Sequence, residues 1–458
     1  IEKNNQFSNL FDDRTNNLIG WKIINSGAEK SEIKFKQDSN NHIVVTFPPL
    51  VNGTILVPLK HDSYSIPTII DDPKLKVEIV FQGIMFPTSM AFLGPNDILV
   101  LEKNTGNVHR ITNGQMLPQP LLHANVATQV ERGMLGIAVT RNGPTTYVFL
   151  YYTEAGGEVD NNSIGNRLYR YELANNQLIN PKLLLDLPAI PSNHNSFETN
   201  HNGGKLVVGP DNNVYLIIGD VGGHMTQSEN AIGGPLPDGT GGVLRVTQDG
   251  DAVIPNSPLG NDTDPTLNKY YAYGIRNSFG IDFDPVTGKL WDTENGPAND
   301  DEINLVEPGF NSGWSVTQGM SMYRDNLDGV VDFNGKGKYS PPKFTWYHTV
   351  APTALAFLHS NKLGKQYEND MFVGDVNHGR IYRFKLNENR TGLDLKGPLA
   401  DKVADTDWEN EKIIFGAGFG AITDLEVGPD GYLYAIALGR VSSDQGAIYR
   451  IVPAKTIH

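Results

Sequence analysis

The chain has no cysteine among its 458 residues. That excludes disulfides, thiolate metal sites, thiol nucleophiles and cysteine-attached haem, and leaves the redox compartment open. Long apolar runs are missing too: no stretch reaches the ~18 consecutive residues of a membrane-spanning helix, so no membrane span is expected. Positive charge is scarce, with 37 Lys and Arg against 52 Asp and Glu and a net charge of −15. Affinity for a nucleic-acid backbone comes from clustered Lys and Arg, so no nucleic-acid partner is expected. The same acidity means that an anionic ligand needs its own local concentration of positive charge.

What the chain has in excess is turn chemistry. Gly 48 and Pro 28 together make up about 17% of the residues, against a usual total near ~12%, which favours many short strands over long helices. At this length two or three average domains would be allowed, yet a regular all-β architecture can hold such a chain in one unit. Four glycosylation-type triplets, at Asn52, Asn161, Asn261 and Asn389, favour an exported protein, extracellular or periplasmic. The start at Ile1, without a basic and apolar leader, fits a leader already removed.

A unit recurs six times: a short apolar run, a Gly-Pro-Asp-type turn, an alternating strand, then Gly-x-hydrophobic-x-Arg. The repeats begin near Ser89, Leu135, Gly204, Gly280, Thr353 and Thr423. Five close on similar strands, Asn107 to Ile111, Arg167 to Tyr171, Gly242 to Val246, Arg380 to Phe384 and Ala447 to Ile451, with period-two alternation. Small sheets of this kind cannot bury both faces alone, and radial arrangement about an axis gives neighbours a shared core. The expected fold is therefore all-β: a six-bladed β-propeller over residues 76–458. Residues 1–75 are expected to form an N-terminal β-rich extension, from the alternation around Ser31 to Lys36 and His42 to Phe47. Large loops are expected around Pro191 to Asn202 and Met225 to Pro265, and loops on a rigid scaffold carry function.

Two Gly-rich blocks stand out. Asn200-His201-Asn202-Gly203-Gly204-Lys205-Leu206 offers an imidazole beside residues small enough to let another molecule approach. Tyr273-Gly274-Ile275-Arg276-Asn277 offers a guanidinium and an amide, and the chain runs on through Asn295-Gly296-Pro297 to Asp300, Asp301 and Glu302, a Gly-Pro turn followed by carboxylates. Together they suit redox or acid–base chemistry. Read without further context, His201 could instead satisfy a loop carbonyl, Arg276 tie two blades, and the three carboxylates form a solvated turn.

With six repeats and these blocks, and with Gly241 to Val246, Gly313-Trp314 and Thr349 to Pro352 in the same order, the chain resembles the glucose and sorbosone dehydrogenase family. These are soluble quinoproteins that carry pyrroloquinoline quinone. The resemblance implies that His201 is the general base taking a sugar hydroxyl proton while hydride passes to the quinone, and that Arg276 and Asn277 contact the quinone. It implies Ca²⁺ held by the carbonyls of Gly296 and Pro297, with Asp301 and Glu302 as carboxylates of the same region. Glu131, Arg132, Asn295, His378 and Thr423 fall at further candidate cofactor contacts. An aldose or related polyol would be the substrate and a separate partner the electron acceptor.

The cofactor has three carboxylates, which the family binds with a lysine in the fifth repeat and an Arg-x-Arg-Asp motif opening the sixth. Here the fifth repeat reads Gly374-Asp375-Val376-Asn377-His378-Gly379 and the sixth Ala421-Ile422-Thr423-Asp424, so only the aspartate remains. Where the family has a glutamine, the chain has Glu131. Lost charge-assisted hydrogen bonds cost about 1.5 to 3 kcal/mol each. Arg132, Lys205, Arg276, His378 and Arg380 are the candidate substitutes. Two other readings follow: a non-catalytic extracellular propeller binding another ligand, and a transition-metal enzyme using His201, His224, His348 and His378.

Overall fold

The computed structural model describes residues 66–157, 163–190, 200–260, 264–320, 327–439 and 446–454, together with four short strands nearer the N-terminus. Asn52, Asn161, Asn261 and most of the loop from Pro191 lie outside the described residues. The chain divides into two compact units, Ile1–Ile66 and Pro67–His458. In the first, Trp21–Ile24 pairs with Ile55–Pro58 and Lys34–Gln37 with Ile43–Thr46, both antiparallel. The boundary falls at residue 66 and not near 75, because Thr68–Ile69 already pairs with Ile414–Ala417 of the second unit.

The second unit is an all-β propeller. Five of its sheets have four or five strands, and one is widened to six by Phe310–Asn311 and Lys338–Tyr339. The innermost strands are Pro87–Gly94, Met134–Asn142, Leu206–Val208, Gly280–Phe283, Pro352–Phe357 and Ala421–Val427. Each packs beside the next and the last returns to the first, so the inner strands form a closed ring. The six repeat starts read from the sequence fall in these strands or, for Gly204, just ahead of one.

The repeated Gly-x-hydrophobic-x-Arg strands are third strands, not last ones. An outer strand follows in each sheet, as where Gln177–Leu187 pairs with Ser163–Ala174. Its alternation is weaker because one side faces water: Gln177–Leu187 is mostly exposed along its middle. The last sheet takes its outer strand from the start of the unit, Leu75–Ile84 pairing along Gly446–Pro453. This clasp closes the ring through hydrogen bonds between the two ends of the propeller and leaves no open edge there.

Second strands are the driest parts of each sheet. Val214–Ile218 and Met371–Asp375 are buried at every position, because both faces meet neighbouring sheets. Apolar clusters accordingly bridge consecutive sheets, as where Phe149, Tyr151, Leu216, Ile218 and Leu244 pack together. Among the described residues the one α-helix is Asp407–Glu411, five residues long and closed by a capping box between Thr406 and Glu409.

Candidate functional site

A cavity of about 480 Å³ opens where the inner strands begin and where second strands turn into third ones. Its functional groups thus come from loop and strand ends on one side of a rigid ring. His201 and Lys205 precede Leu206–Val208, and Arg276 and Asn277 precede Gly280–Phe283. Asn295, Gly296 and Pro297 form the turn after Leu290–Glu294. Asn377 tops Met371–Asp375, and Thr423 lies on Ala421–Val427.

His201 is held at both its ring and its backbone. Its Nδ1 lies 2.5 Å from Asp220 Oδ1, and its backbone N–H donates to Glu131 Oε2. Its own backbone is left-handed, φ 61°, a conformation that costs a non-glycine residue about 1 kcal/mol and persists where the surroundings over-determine it. Asp220 is 2% exposed and also accepts from Trp314 Nε1 at 2.8 Å and the Gly223 amide at 3.2 Å. A buried carboxylate on Nδ1 makes that nitrogen the donor and leaves Nε2 as the lone-pair site toward the cavity. Gly219 lets the chains meet: a Cβ there would lie 2.4 Å from Arg276 O and 2.8 Å from His201 O.

Arg276 lies beside this pair. Its Nη1 donates to Asn295 O at 2.9 Å and Gly296 O at 3.1 Å, and its guanidinium sits 5.3 Å from the centroid of the Trp314 ring. Arg276 Nε and Asn277 Oδ1 are buried without a protein partner, the kind of orphaned polar atoms that a ligand satisfies. Trp314 therefore contacts both the carboxylate that orients His201 and the cation next to it. Burial pushes the Glu131 carboxyl up, against the opposing pull of His201 and Arg276.

The structure brings Glu131, His201, Arg276, Asn277, Asn295, Gly296, Pro297, Asp301 and Thr423 to the cavity wall. It does not bring Arg132, His378 or Glu302 there. Arg132 turns into the protein and donates to Ala189 O. His378 sits on the outer side of its turn, 43% exposed, with Nδ1 3.4 Å from Asp375 Oδ2. Its neighbour Asn377 faces the cavity instead. Glu302 is buried one layer below. Of the other candidate substitutes for the missing cations, Arg380 is absent from the lining and Lys205 is present. Sequence reasoning missed Asp220 and Trp314 as the supports of His201. The Gly219-Asp220 pair ending a fully apolar strand was the available signal for the first.

Asp301 is bound up by backbone: Oδ1 accepts from Gly296 N–H at 2.9 Å, and Oδ2 from Val350 and Ala351 N–H at 2.7 and 2.8 Å. Burial still lifts its pKa to about 6. Below it, Asp292, Glu294 and Glu302 share one face of two paired strands, Glu294 directly opposite Glu302. Ser312 Oγ reaches Glu294 and Glu302, while both oxygens of Asp292 and Oε2 of Glu294 meet no donor in hydrogen-bonding geometry. Burial, then mutual repulsion, raises Asp292 and Glu294 well above the usual range, and burial lifts Glu302 to about 7.

Neither implied group fits the residues as they stand. Asp301 already accepts from three amides and Gly296 O from Arg276, so the Gly-Pro turn keeps few free lone pairs and is not an open oxygen cage for calcium. Among the described residues no group of three or more His, Asp or Glu is placed to hold a metal, which also leaves the four-histidine metal reading without support. For three carboxylates, the cavity offers Lys103, Lys205 and Arg276. Lys205 is ion-paired to Asp424 and, at 2.6 Å, to Glu426. Burial alone would lower the Lys205 pKa, but those two carboxylates outweigh it and hold the ammonium firmly protonated.

A β-propeller with a carboxylate-oriented imidazole beside a guanidinium in its axial cavity has the layout of an enzyme acting on a small molecule. The comparisons agree: residues 84–450 match the model of the Glucose / Sorbosone dehydrogenase family, and the chain belongs to that family. It is 24% identical to the aldose sugar dehydrogenase of Escherichia coli, the match covering 83% of this chain and 93% of that one. It is 25% identical to quinoprotein glucose dehydrogenase B of Acinetobacter calcoaceticus, covering 81% and 87%. The PQQ-bound aldose sugar dehydrogenase of Streptomyces coelicolor shares the fold, with a TM-score of 0.59, 22% identity and coverage of 83% and 99%.

Proposed function

We propose that this protein, its six sheets counted as six blades, is an exported oxidoreductase acting on a CH–OH group of an aldose or related polyol. The observation that carries this reading is the His201–Asp220 pair, 2.5 Å apart, with the second imidazole nitrogen left toward a cavity that Arg276 also lines. His201 takes the hydroxyl proton, and the carbon-bound hydrogen leaves with its electron pair to a two-electron oxidant of the quinone or dye class bound beside Arg276, which is reduced as the alcohol carbon becomes a carbonyl carbon. Asp220 steadies the imidazolium that forms. Arg276, with a buried Nε lacking a partner, stabilises negative charge growing on an acceptor oxygen. One of the similar proteins is a quinoprotein and one a PQQ-bound dehydrogenase, but the residues present here do not fit pyrroloquinoline quinone or calcium as arranged.

The test is dye-linked turnover of the purified protein on a panel of aldoses and polyols, with and without added pyrroloquinoline quinone and Ca²⁺. Turnover by the native chain and a drop of about 10³-fold or more in His201→Asn, with melting unchanged, are expected. Undiminished turnover in that variant removes His201 as the base. The missing basic contacts of the fifth and sixth repeats favour one alternative, a propeller that binds a ligand without chemistry, and absence of turnover on every substrate would select it.

A further inference from the structure

One wall of the cavity is closed by the inner strands Pro87–Gly94, Pro352–Phe357 and Ala421–Val427 and by the turn bearing Asn377. It is polar and yet poor in donors. Thr88 Oγ1 donates to Met134 O at 2.8 Å, Ser89 Oγ to Asp424 Oδ2 at 2.9 Å, and Thr423 Oγ1 to Pro87 O at 3.0 Å. Thr353 Oγ1 donates to Ile422 O, and the Asn377 side-chain amide to Thr349 O at 3.2 Å. A hydroxyl has one hydrogen, and where its partner is a carbonyl or carboxylate that hydrogen is spent. These four hydroxyls therefore turn lone pairs toward the cavity.

Behind the wall the one ammonium is already matched by carboxylates. Lys205 reaches across from the third sheet, but Asp424 and Glu426 both pair with it, and even with burial lifting Glu426 to about 7 the Lys205 charge is cancelled. Asp424 is 1% exposed and receives Ser89 Oγ and the Met90 and Leu425 amides besides Lys205, so it cannot leave without stranding four donors. A carboxylate placed against this wall would meet acceptor lone pairs and, in Lys205, a cation whose charge is already cancelled. A neutral ligand offering hydroxyl or amide hydrogens would meet acceptors ready for them.

We propose that this cavity selects a neutral ligand over a carboxylated one of the same shape, the wall of Thr88, Ser89, Thr353 and Thr423 receiving ligand donors where a carboxylate-bearing cofactor would need cations. The inference rests on the reading that acceptor and substrate share this cavity, and it puts the chain at odds with a tricarboxylated quinone.

Fluorescence titration of the full chain with pyrroloquinoline quinone and with its trimethyl ester separates the two, with Ca²⁺ present in both series. The ester is expected to bind at least as tightly as the acid. A preference of tenfold or more for the acid overturns the proposal, as does binding of neither up to millimolar concentration. The double variant Asn377→Lys with Thr423→Arg supplies the missing charges. It should tighten the acid by about tenfold to a hundredfold, the worth of one or two charge-assisted hydrogen bonds, and leave the ester unchanged. A folded double variant with no gain for the acid also counts against it. These are binding measurements, so loss of the catalytic reading would show separately, as absent turnover in the dye-linked assay.

Discussion

Asp220 divides its carboxylate between two partners: Oδ1 meets His201 Nδ1 at 2.5 Å and Oδ2 accepts from Trp314 Nε1 at 2.8 Å. With one oxygen committed to each, the carboxylate cannot rotate without breaking a bond, and the imidazole it holds keeps one tautomer. Asp220→Asn can keep both contacts only by turning its amide hydrogens on one of them, so His201 loses either orientation or the correct nitrogen. Turnover should fall by about 10³-fold with little change in melting temperature. Activity within threefold of native would show that His201 needs no such partner.

Trp314→Phe removes the indole N–H and keeps an aromatic face for Arg276, which sits 5.3 Å from the Trp314 ring. The lost hydrogen bond leaves Asp220 Oδ2 buried without it, so kcat should drop about tenfold while KM moves less. Equal loss in Trp314→Phe and Trp314→Ala would shift the role from the N–H to packing.

Gly219→Ala tests the close approach of the two site loops. Its methyl would sit 2.4 Å from Arg276 O and 2.8 Å from His201 O, and both are backbone atoms that cannot swing aside. We expect a loss of about 1 to 3 kcal/mol in stability, read by denaturant melting. Turnover should fall beyond what that loss explains, since the methyl separates His201 from Arg276. A stable, fully active variant would mean that the loops part without harm.

Much of the scaffold was legible because its signals are local. Ser89, Leu135, Gly280, Thr353 and Thr423 each open an apolar alternation that does become an inner strand, since period two and Gly-Pro-Asp turns need no distant partner. The clasp of Leu75–Ile84 on Gly446–Pro453 was not legible, because nothing in either strand names a partner at the other end of the unit. The same limit governed the site. His201 and Arg276 announce themselves by Gly-rich surroundings, but Trp314 lies far along the chain from the Asp220 it contacts, and no spacing rule connects them. The choice between Asn377 and His378 depended on which side of a tight turn faced inward, and composition favoured the wrong neighbour.

The buried carboxylates set a pH dependence of stability that runs opposite to ordinary acid denaturation over its upper range. Burial raises Asp301 to about 6 and Glu229 and Glu302 to about 7, above the usual unfolded values near ~4. The folded state therefore binds these protons more tightly than the unfolded state, and stability falls as pH rises from about 4.5 through 7. Glu102 works in the other direction. Burial opposes its ionisation, but His109, the Met85 amide and Thr105 outweigh it and hold it near about 2, so its contribution is present above about 4.5 and lost toward pH 2. The melting temperature should accordingly peak near pH 5 and be lower by several degrees at pH 8. A profile that is flat or rising from pH 5 to 8 would show that these buried carboxyls do not hold their protons more tightly in the folded state than in the unfolded one.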